Sequence, residues 1–137
     1  MIKKLVFACV HNAGRSQIAA AWARHLAGGR VEVLSGGTEP GPHLNVQVVE
    51  AMREAGVDLA GIRPQLLTPE LVRGAEYMVT MGCGESCPVI PGVKRRDWPI
   101  ADTRGQPIEV VRTIRDEIKG RVIDLLRSEG ILANPSC

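Results

Sequence analysis

Hydrophobic positions in this chain fall into short continuous runs that alternate with stripes of helical period. Lys3 to Cys9 is the first run, an apolar, β-rich stretch that stops at a polar, glycine-containing turn, as a buried strand does. From Arg15 to Ala27 the period changes: Ile18, Ala19, Trp22, Ala23 and Leu26 fall on one helical face, and Gly28-Gly29 ends it. Val31 to Leu34 predicts a second strand, and Ser35-Gly36-Gly37 leads into a turn between Pro40 and Pro42. The next helix takes Asn45 as its N-cap, turns Val48, Val49 and Met52 inward and stops at Gly56. Thr68-Pro69-Glu70 then supplies a capping hydroxyl, a proline at the first helical position and an acid in the first turn, which start a short helix ending near Gly74. Tyr77 to Met81 is a third strand and Val93 to Trp98 a fourth. Between them, Gly82 to Gly92 holds three glycines, two prolines and two cysteines, the composition of a mobile loop with room for a helical turn. Pro107 opens the last helix, whose stripe Val111, Ile114, Ile118, Val122 and Leu125 runs to Leu126. Gly120 inside it costs about 1 kcal/mol relative to alanine, an amount that packing offsets.

Strands alternating with helices imply βαβ units and right-handed crossovers. The expected fold is a single α/β domain over residues 1–137, with a four-stranded parallel sheet flanked by helices in three layers. At 137 residues the chain should bury roughly 70% of its unfolded surface and needs neither disulfide nor metal to fold. Its 45% apolar and 23% charged residues are ordinary for a globular protein. Phe7, Trp22, Tyr77 and Trp98 are the only aromatic residues, too few for a base-stacking platform. A net charge of +2 provides no broad phosphate-neutralising surface, and Lys94, Arg95 and Arg96 read as a solvated edge. Nucleic acid is therefore not an expected partner. Nor is a membrane, since no apolar run approaches the roughly 20 residues of a span. The N-terminus has only six apolar residues between Lys4 and His11 and no cleavage site, so a cytoplasmic location is expected. In that reducing compartment the four cysteines, Cys9, Cys83, Cys87 and Cys137, are more often reactive or metal-binding than structural.

The segment Cys9-Val10-His11-Asn12-Ala13-Gly14-Arg15-Ser16 carries the chemistry. It lies between the end of the first strand and the start of the first helix, where open α/β sheets bind ligands. A loop wrapping into a helix N-terminus offers unpaired backbone N–H groups and the positive end of the helix dipole to a tetrahedral oxyanion. Gly14 lets the backbone approach closely, Asn12 tolerates the left-handed conformation, and Arg15 adds a planar fork of donors. The same field favours the thiolate at Cys9, to which the Ser16 hydroxyl can donate. The loop is thus an anion site of residues 10–16 with a nucleophile, Cys9, at its base. The bland alternative is a buried cysteine beside a solvated helix arginine.

Cys9 to Ser16 resembles the Cys-x-x-Asn-x-x-Arg-Ser loop of the low-molecular-weight protein tyrosine phosphatase superfamily. Within it, the chain is similar to the thioredoxin-coupled arsenate reductases. The resemblance extends through Ser16-Gln17, Ser35-Gly36-Gly37-Thr38, Met81-Gly82-Cys83 and Asp97-Trp98. It implies a four-stranded parallel sheet, arsenate as the oxyanion substrate, thioredoxin as reductant, arsenic detoxification as the role, a monomer and no tightly bound cofactor. A phosphatase releases its covalent intermediate with water and needs one cysteine, whereas reducing arsenic requires further thiols. By resemblance, Cys9 attacks arsenate, Cys83 attacks Cys9 and Cys87 attacks Cys83, leaving a disulfide for thioredoxin. Only three residues separate Cys83 from Cys87, fewer than in the resembling reductases. On a helical turn this spacing puts their Cα atoms about 6 Å apart, within disulfide range, and leaves open which attacks first. Mycothiol and glutaredoxin serve some relatives as reductants, but a second loop cysteine favours thioredoxin.

Asp102 is the expected leaving-group acid, with Thr103 where the family has proline, and Asp97 is its competitor. No tyrosine follows Asp102 to grip an aromatic substrate, so a tyrosine phosphatase is the second reading, and weak phosphatase activity the expected accompaniment. A zinc-binding module is the third, because Cys83-x3-Cys87 has the spacing of half a site. It would need ligands from Cys9, Cys137, His11, His25 and His43, among which no second close pair exists, so no metal is expected. His25 reads as a helix-surface residue, His43 as a loop residue, His11 as a residue that tunes the anion loop, and Cys137 as a terminal bystander.

Overall fold

The structure, a computed structural model, describes residues 2–83 and 87–132. Strand β1 (Lys3–Cys9) is followed by helix α1 (Arg15–Ala27), a 3-10 turn at Gly28–Arg30, β2 (Val31–Gly37), α2 (Val46–Glu54), α3 (Pro69–Val72), β3 (Tyr77–Thr80), β4 (Lys94–Asp97) and α4 (Ile108–Ser128). The strands form one sheet of order β2-β1-β3-β4, and every neighbouring pair is parallel. The expected four-stranded α/β architecture is the one found.

Alternation along β1 divides the core. Leu5, Phe7 and Cys9 face the cluster built with Ile18 and Trp22 of α1, Val48 and Met52 of α2, and Ile114, Ile118 and Val122 of α4. Val6 and Ala8 face the other way, toward Leu67, Val72 of α3, Met78, Cys83 and Cys87. Both faces of β1 are covered, which is why its sequence is a continuous apolar run rather than an alternating one. The caps follow the sequence: Asn45 Oδ1 accepts from Gln47 N at 2.8 Å, and Thr68 Oγ1 from Leu71 N at 3.1 Å.

The main departure is at the end of β2. Ser35, Gly36 and Gly37, read as the start of a turn, continue the strand and pair with Phe7, Ala8 and Cys9. These glycines answer to close approach rather than to chain reversal. A Cβ on Gly36 would lie 2.9 Å from Leu67 Cα. The chain at residues 65–67 also bonds to Gly37 in both directions, Gly37 N to Gln65 O at 2.9 Å and Leu67 N to Gly37 O at 2.8 Å. Smaller shifts occur elsewhere. β3 stops at Thr80, β4 spans Lys94–Asp97, Val49 is only half-buried, and Pro107 is the N-cap of α4 rather than its first residue. The basic residues of β4 are engaged at the sheet edge: Lys94 pairs with Glu76 at 3.1 Å, and Arg96 lies over the Tyr77 ring.

Helix α2 is tied to α4 by a two-pronged ion pair, Arg112 Nε and Nη2 donating to the Glu54 carboxylate at 2.8 and 2.7 Å. The hydrogen bond from Arg112 holds the Glu54 carboxyl below its ordinary value. Because the folded-state value is depressed, this pair's stabilisation is present above the ordinary glutamate range and is lost as the pH falls through the folded value. Arg112→Gln should therefore make the acid side of the stability–pH curve shallower. Urea titrations at a series of pH values measure this, and parallel curves for the two proteins would show that the pair contributes nothing.

Candidate active site

Register places Cys9 at the carboxyl end of the central strand β1, opposite Gly37 of β2. From there the loop runs to α1 with its carbonyls taken up by surrounding groups. Thr38 N donates to Cys9 O at 3.2 Å, Glu39 N to Val10 O at 2.8 Å, Gly41 N to His11 O at 3.0 Å and Asn45 N to Ala13 O at 2.9 Å. Gln17 Nε2 donates to Asn12 O at 3.0 Å, and Ile18 N to Gly14 O at 2.9 Å. A trans peptide opposes its N–H to its C=O, so these bonds turn the loop's N–H groups the other way. That of Asn12 points at Cys9 Sγ, 3.3 Å away. Gly37 forms a wall of the loop, since a Cβ there would meet Val10 O at 2.6 Å and Asn12 N at 2.9 Å.

Asn12 organises the interior. It is fully buried and has φ of 52°, the left-handed conformation expected of it. Its Oδ1 accepts from Gln17 Nε2 and from Gln65 N, both at 3.0 Å, which orients the side-chain amide. Its Nδ2 therefore faces Ser16 and donates to Oγ at 2.7 Å. Ser16 Oγ lies 2.9 Å from Cys9 Sγ with its own proton still free, and since a thiolate can only accept, Ser16 is the donor once Cys9 is ionised. Cys9 is a buried free cysteine.

A cleft of about 270 Å³ opens above Cys9. His11, Ala13, Gly14 and Arg15 of the loop line it, together with residues 41–46 and 102–104. Arg15 is buried, with Nη1 donating to Ile100 O at 3.3 Å and Nη2 lying 3.7 Å from Asp102 Oδ2. Asp102 is half-exposed on the cleft, and its Oδ1 accepts from Arg104 N at 3.0 Å. Asp97 is not among the cleft residues. Its carboxylate accepts from the Thr80 hydroxyl and from Arg95 Nε, and these bonds hold its carboxyl below the ordinary aspartate value. Geometry thus brings Asp102, rather than Asp97, to Cys9 and Arg15.

Thr103, in the place of the family's proline, is buried, and a Cβ on Gly14 would collide with its hydroxyl. Asn45 Nδ2 donates to Thr103 O at 3.3 Å, so the cap of α2 also holds the Asp102 segment. The supporting roles of Gln65, Asn45 and Thr103 have no sequence signature of their own, because each depends on a contact distant in sequence. Gln17 alone was within reach, as a neighbour of the loop motif.

Cys83 and Cys87 are joined in a disulfide, with Cα atoms 5.7 Å apart, and both are buried. They pack with Val6, Ala8 and Met78, on the side of β1 opposite to that of Cys9. Residues 84–86 and Cys137 lie outside the described residues. His43 is exposed on the cleft rim, and His25 is exposed against the edge of Trp22. No group of three or more metal-ligating side chains occurs among the described residues, nor does any helix long and apolar enough to cross a membrane.

The family model for low molecular weight phosphotyrosine protein phosphatase matches residues 4–133. The chain belongs to that family. Among relatives of this phosphatase-family chain, a putative arsenate reductase of Halobacterium salinarum is 41% identical over 127 residues, covering 89% of each chain. Arsenate reductase 2 of Staphylococcus epidermidis is 32% identical over 120 residues, covering 85% of this chain and 91% of its own. A solved Corynebacterium glutamicum thioredoxin-dependent arsenate reductase superposes with a TM-score of 0.82 at 40% identity and covers 93% of this chain. The present chain spans 61% of that one's length.

Removing the Asn12 side chain leaves the Gln65 N–H without its acceptor, takes from Ser16 Oγ its amide donor and leaves Gln17 Nε2 with the backbone oxygen of residue 12 alone. Asn12→Ala should cost about 1–3 kcal/mol of stability. It should also weaken phosphate binding at the loop, measured as the phosphate concentration that halves alkylation of Cys9 by iodoacetamide. Unchanged urea midpoint and unchanged protection would mean that the loop is held without Asn12.

Proposed function

We propose that this protein reduces arsenate to arsenite through a cysteine relay, as a single domain over residues 1–137. One observation carries the reading: a free, buried Cys9 beneath an oxyanion-sized loop, together with a second cysteine pair already closed as a disulfide. Hydrolysis of a phosphate ester has no use for that pair. Reduction of arsenic requires it.

Arsenate has the shape and charge of phosphate and is bound by the N–H groups of residues 10–16 and by the Arg15 fork. Ser16, donating to Cys9 Sγ, stabilises the thiolate that attacks arsenic. Asp102 gives a proton to the departing oxygen, which leaves as water. Cys83 thiolate then attacks Cys9 Sγ. A sulfur–sulfur bond forms, the sulfur–arsenic bond breaks, and its electron pair stays on arsenic, which leaves as arsenite. Cys87 thiolate attacks Cys83 Sγ and restores the Cys9 thiolate, leaving the Cys83–Cys87 disulfide. The structure, with Cys9 free and that pair bonded, corresponds to this last species. A dithiol protein of the thioredoxin class returns it to the start, and the role is arsenic detoxification by a monomer in the cytoplasm. The Corynebacterium relative supports the choice of reductant. The same loop can bind a phosphate ester, so weak aryl phosphate hydrolysis accompanies the main activity.

Purified protein should consume NADPH when given arsenate, thioredoxin and thioredoxin reductase. Cys9→Ser should abolish both this activity and aryl phosphate hydrolysis. Cys83→Ser and Cys87→Ser should each abolish arsenate turnover and spare the hydrolysis. Arsenate turnover that survives both loop substitutions would refute the relay, and efficient aryl phosphate hydrolysis without arsenate turnover would make the protein a phosphatase.

A further inference from the structure

Arg15 is held where the carboxyl ends of three strands meet. β1 delivers it through the loop. β3 is extended past Thr80 by Met81 N, which donates to Ala8 O at 2.8 Å and so brings Gly82 alongside the loop. β4 is extended by Trp98 N donating to Thr80 O at 2.8 Å, and a tight turn closed by Ile100 N donating to Trp98 O at 2.9 Å then brings up Ile100 and Asp102. Ile100 O and Asp102 thus flank the guanidinium on one side. On another side stands Gly82, with φ of 95°, a conformation that side chains rarely adopt. A Cβ built on Gly82 would overlap Nη1 of Arg15 and lie 3.1 Å from Cζ and 3.2 Å from Nη2. These contacts involve the group meant to grip the anion, and the glycine directly precedes Cys83.

We propose that Gly82 is a positioning residue for the oxyanion site: the space left by its missing side chain seats the Arg15 guanidinium between the cysteine-bearing segment and the Ile100–Asp102 segment, in the cleft above Cys9. This rests on the reading of that cleft as an oxyanion site, but not on arsenate being its substrate. Arg15 is nearly fully buried and cannot swing freely into water, so a methyl group at residue 82 must push the fork out of its place. The segment that carries the relay cysteine therefore also sets the affinity for the anion.

The test uses Gly82→Ala, Gly82→Asn, Arg15→Ala and the double variant Arg15→Ala with Gly82→Ala, each in the full chain. Asparagine tolerates positive φ better than alanine but still carries a Cβ, so it separates backbone strain from overlap with Arg15. Inorganic phosphate is the probe, read as the concentration that halves alkylation of Cys9 by iodoacetamide. In both Gly82 variants that concentration should rise about tenfold or more, as expected for misplacing a charged donor. The urea midpoint should fall further when Gly82→Ala is made beside Arg15 than when it is made beside Ala at residue 15, since the strain at positive φ is common to both backgrounds and cancels. Wild-type phosphate protection in Gly82→Ala or Gly82→Asn, or equal midpoint shifts in the two backgrounds, would overturn the proposal. If Gly82→Ala does not fold, recovery of folding in the double variant supports it, and failure of both overturns it. Neither readout needs arsenate turnover. A protein that loses phosphate binding in the Gly82 variants yet never reduces arsenate would keep this inference and lose the proposed function.

Discussion

Everything at the site depends on turning the carbonyls of one short loop away from its centre. A single peptide unit can do this at little cost, but a succession of them must find hydrogen-bond donors elsewhere, because a buried unpaired carbonyl is expensive. The chain from Thr38 to Asn45 and the start of α1 supply those partners. The turn after β2 and the cap of α2 therefore shape the loop, although neither belongs to it. Extension of β2 to Gly37 brings that chain within reach, and this is why the sheet has glycines where β-branched residues would ordinarily pack better.

The sheet order gives this loop its neighbours. With β1 between β2 and β3, the nucleophile emerges beside one strand that braces the loop and another that leads to the remaining cysteines. Arg15, buried against Ile100 O and near Asp102, ties the chain that follows β4 to the same place. A buried guanidinium needs both a charge partner and a hydrogen-bond acceptor, and the one segment after β4 supplies both.

Most of the architecture was legible because its signals are local. Runs of apolar residues, the Thr68-Pro69-Glu70 start, the Asn45 cap and the stripe on α4 each contain their own explanation within a few residues. The anion loop was legible for the same reason, since Cys9, Asn12, Gly14, Arg15 and Ser16 share one segment. What escaped were features set by approach in space. Gly36 and Gly37 look like turn residues until Leu67 and Val10 are seen against them, and Thr103 looks like a loop residue until it is seen against Gly14. The choice between Asp97 and Asp102 belongs to the same class: the sequence offers both, and the contacts of Asp97 with Thr80 and Arg95 separate them.

The two halves of the chemistry belong to different cores, with Cys9 packed beneath α1 and the Cys83–Cys87 bond packed against Val6, Ala8 and Met78. Neither half of that bond is open to attack by a thiol from solution while it stays packed. Exchange with a thiol requires the packing around the bond to open, so the opening equilibrium enters the rate of re-reduction. Such a bond ages slowly in the presence of stray oxidants and small thiols.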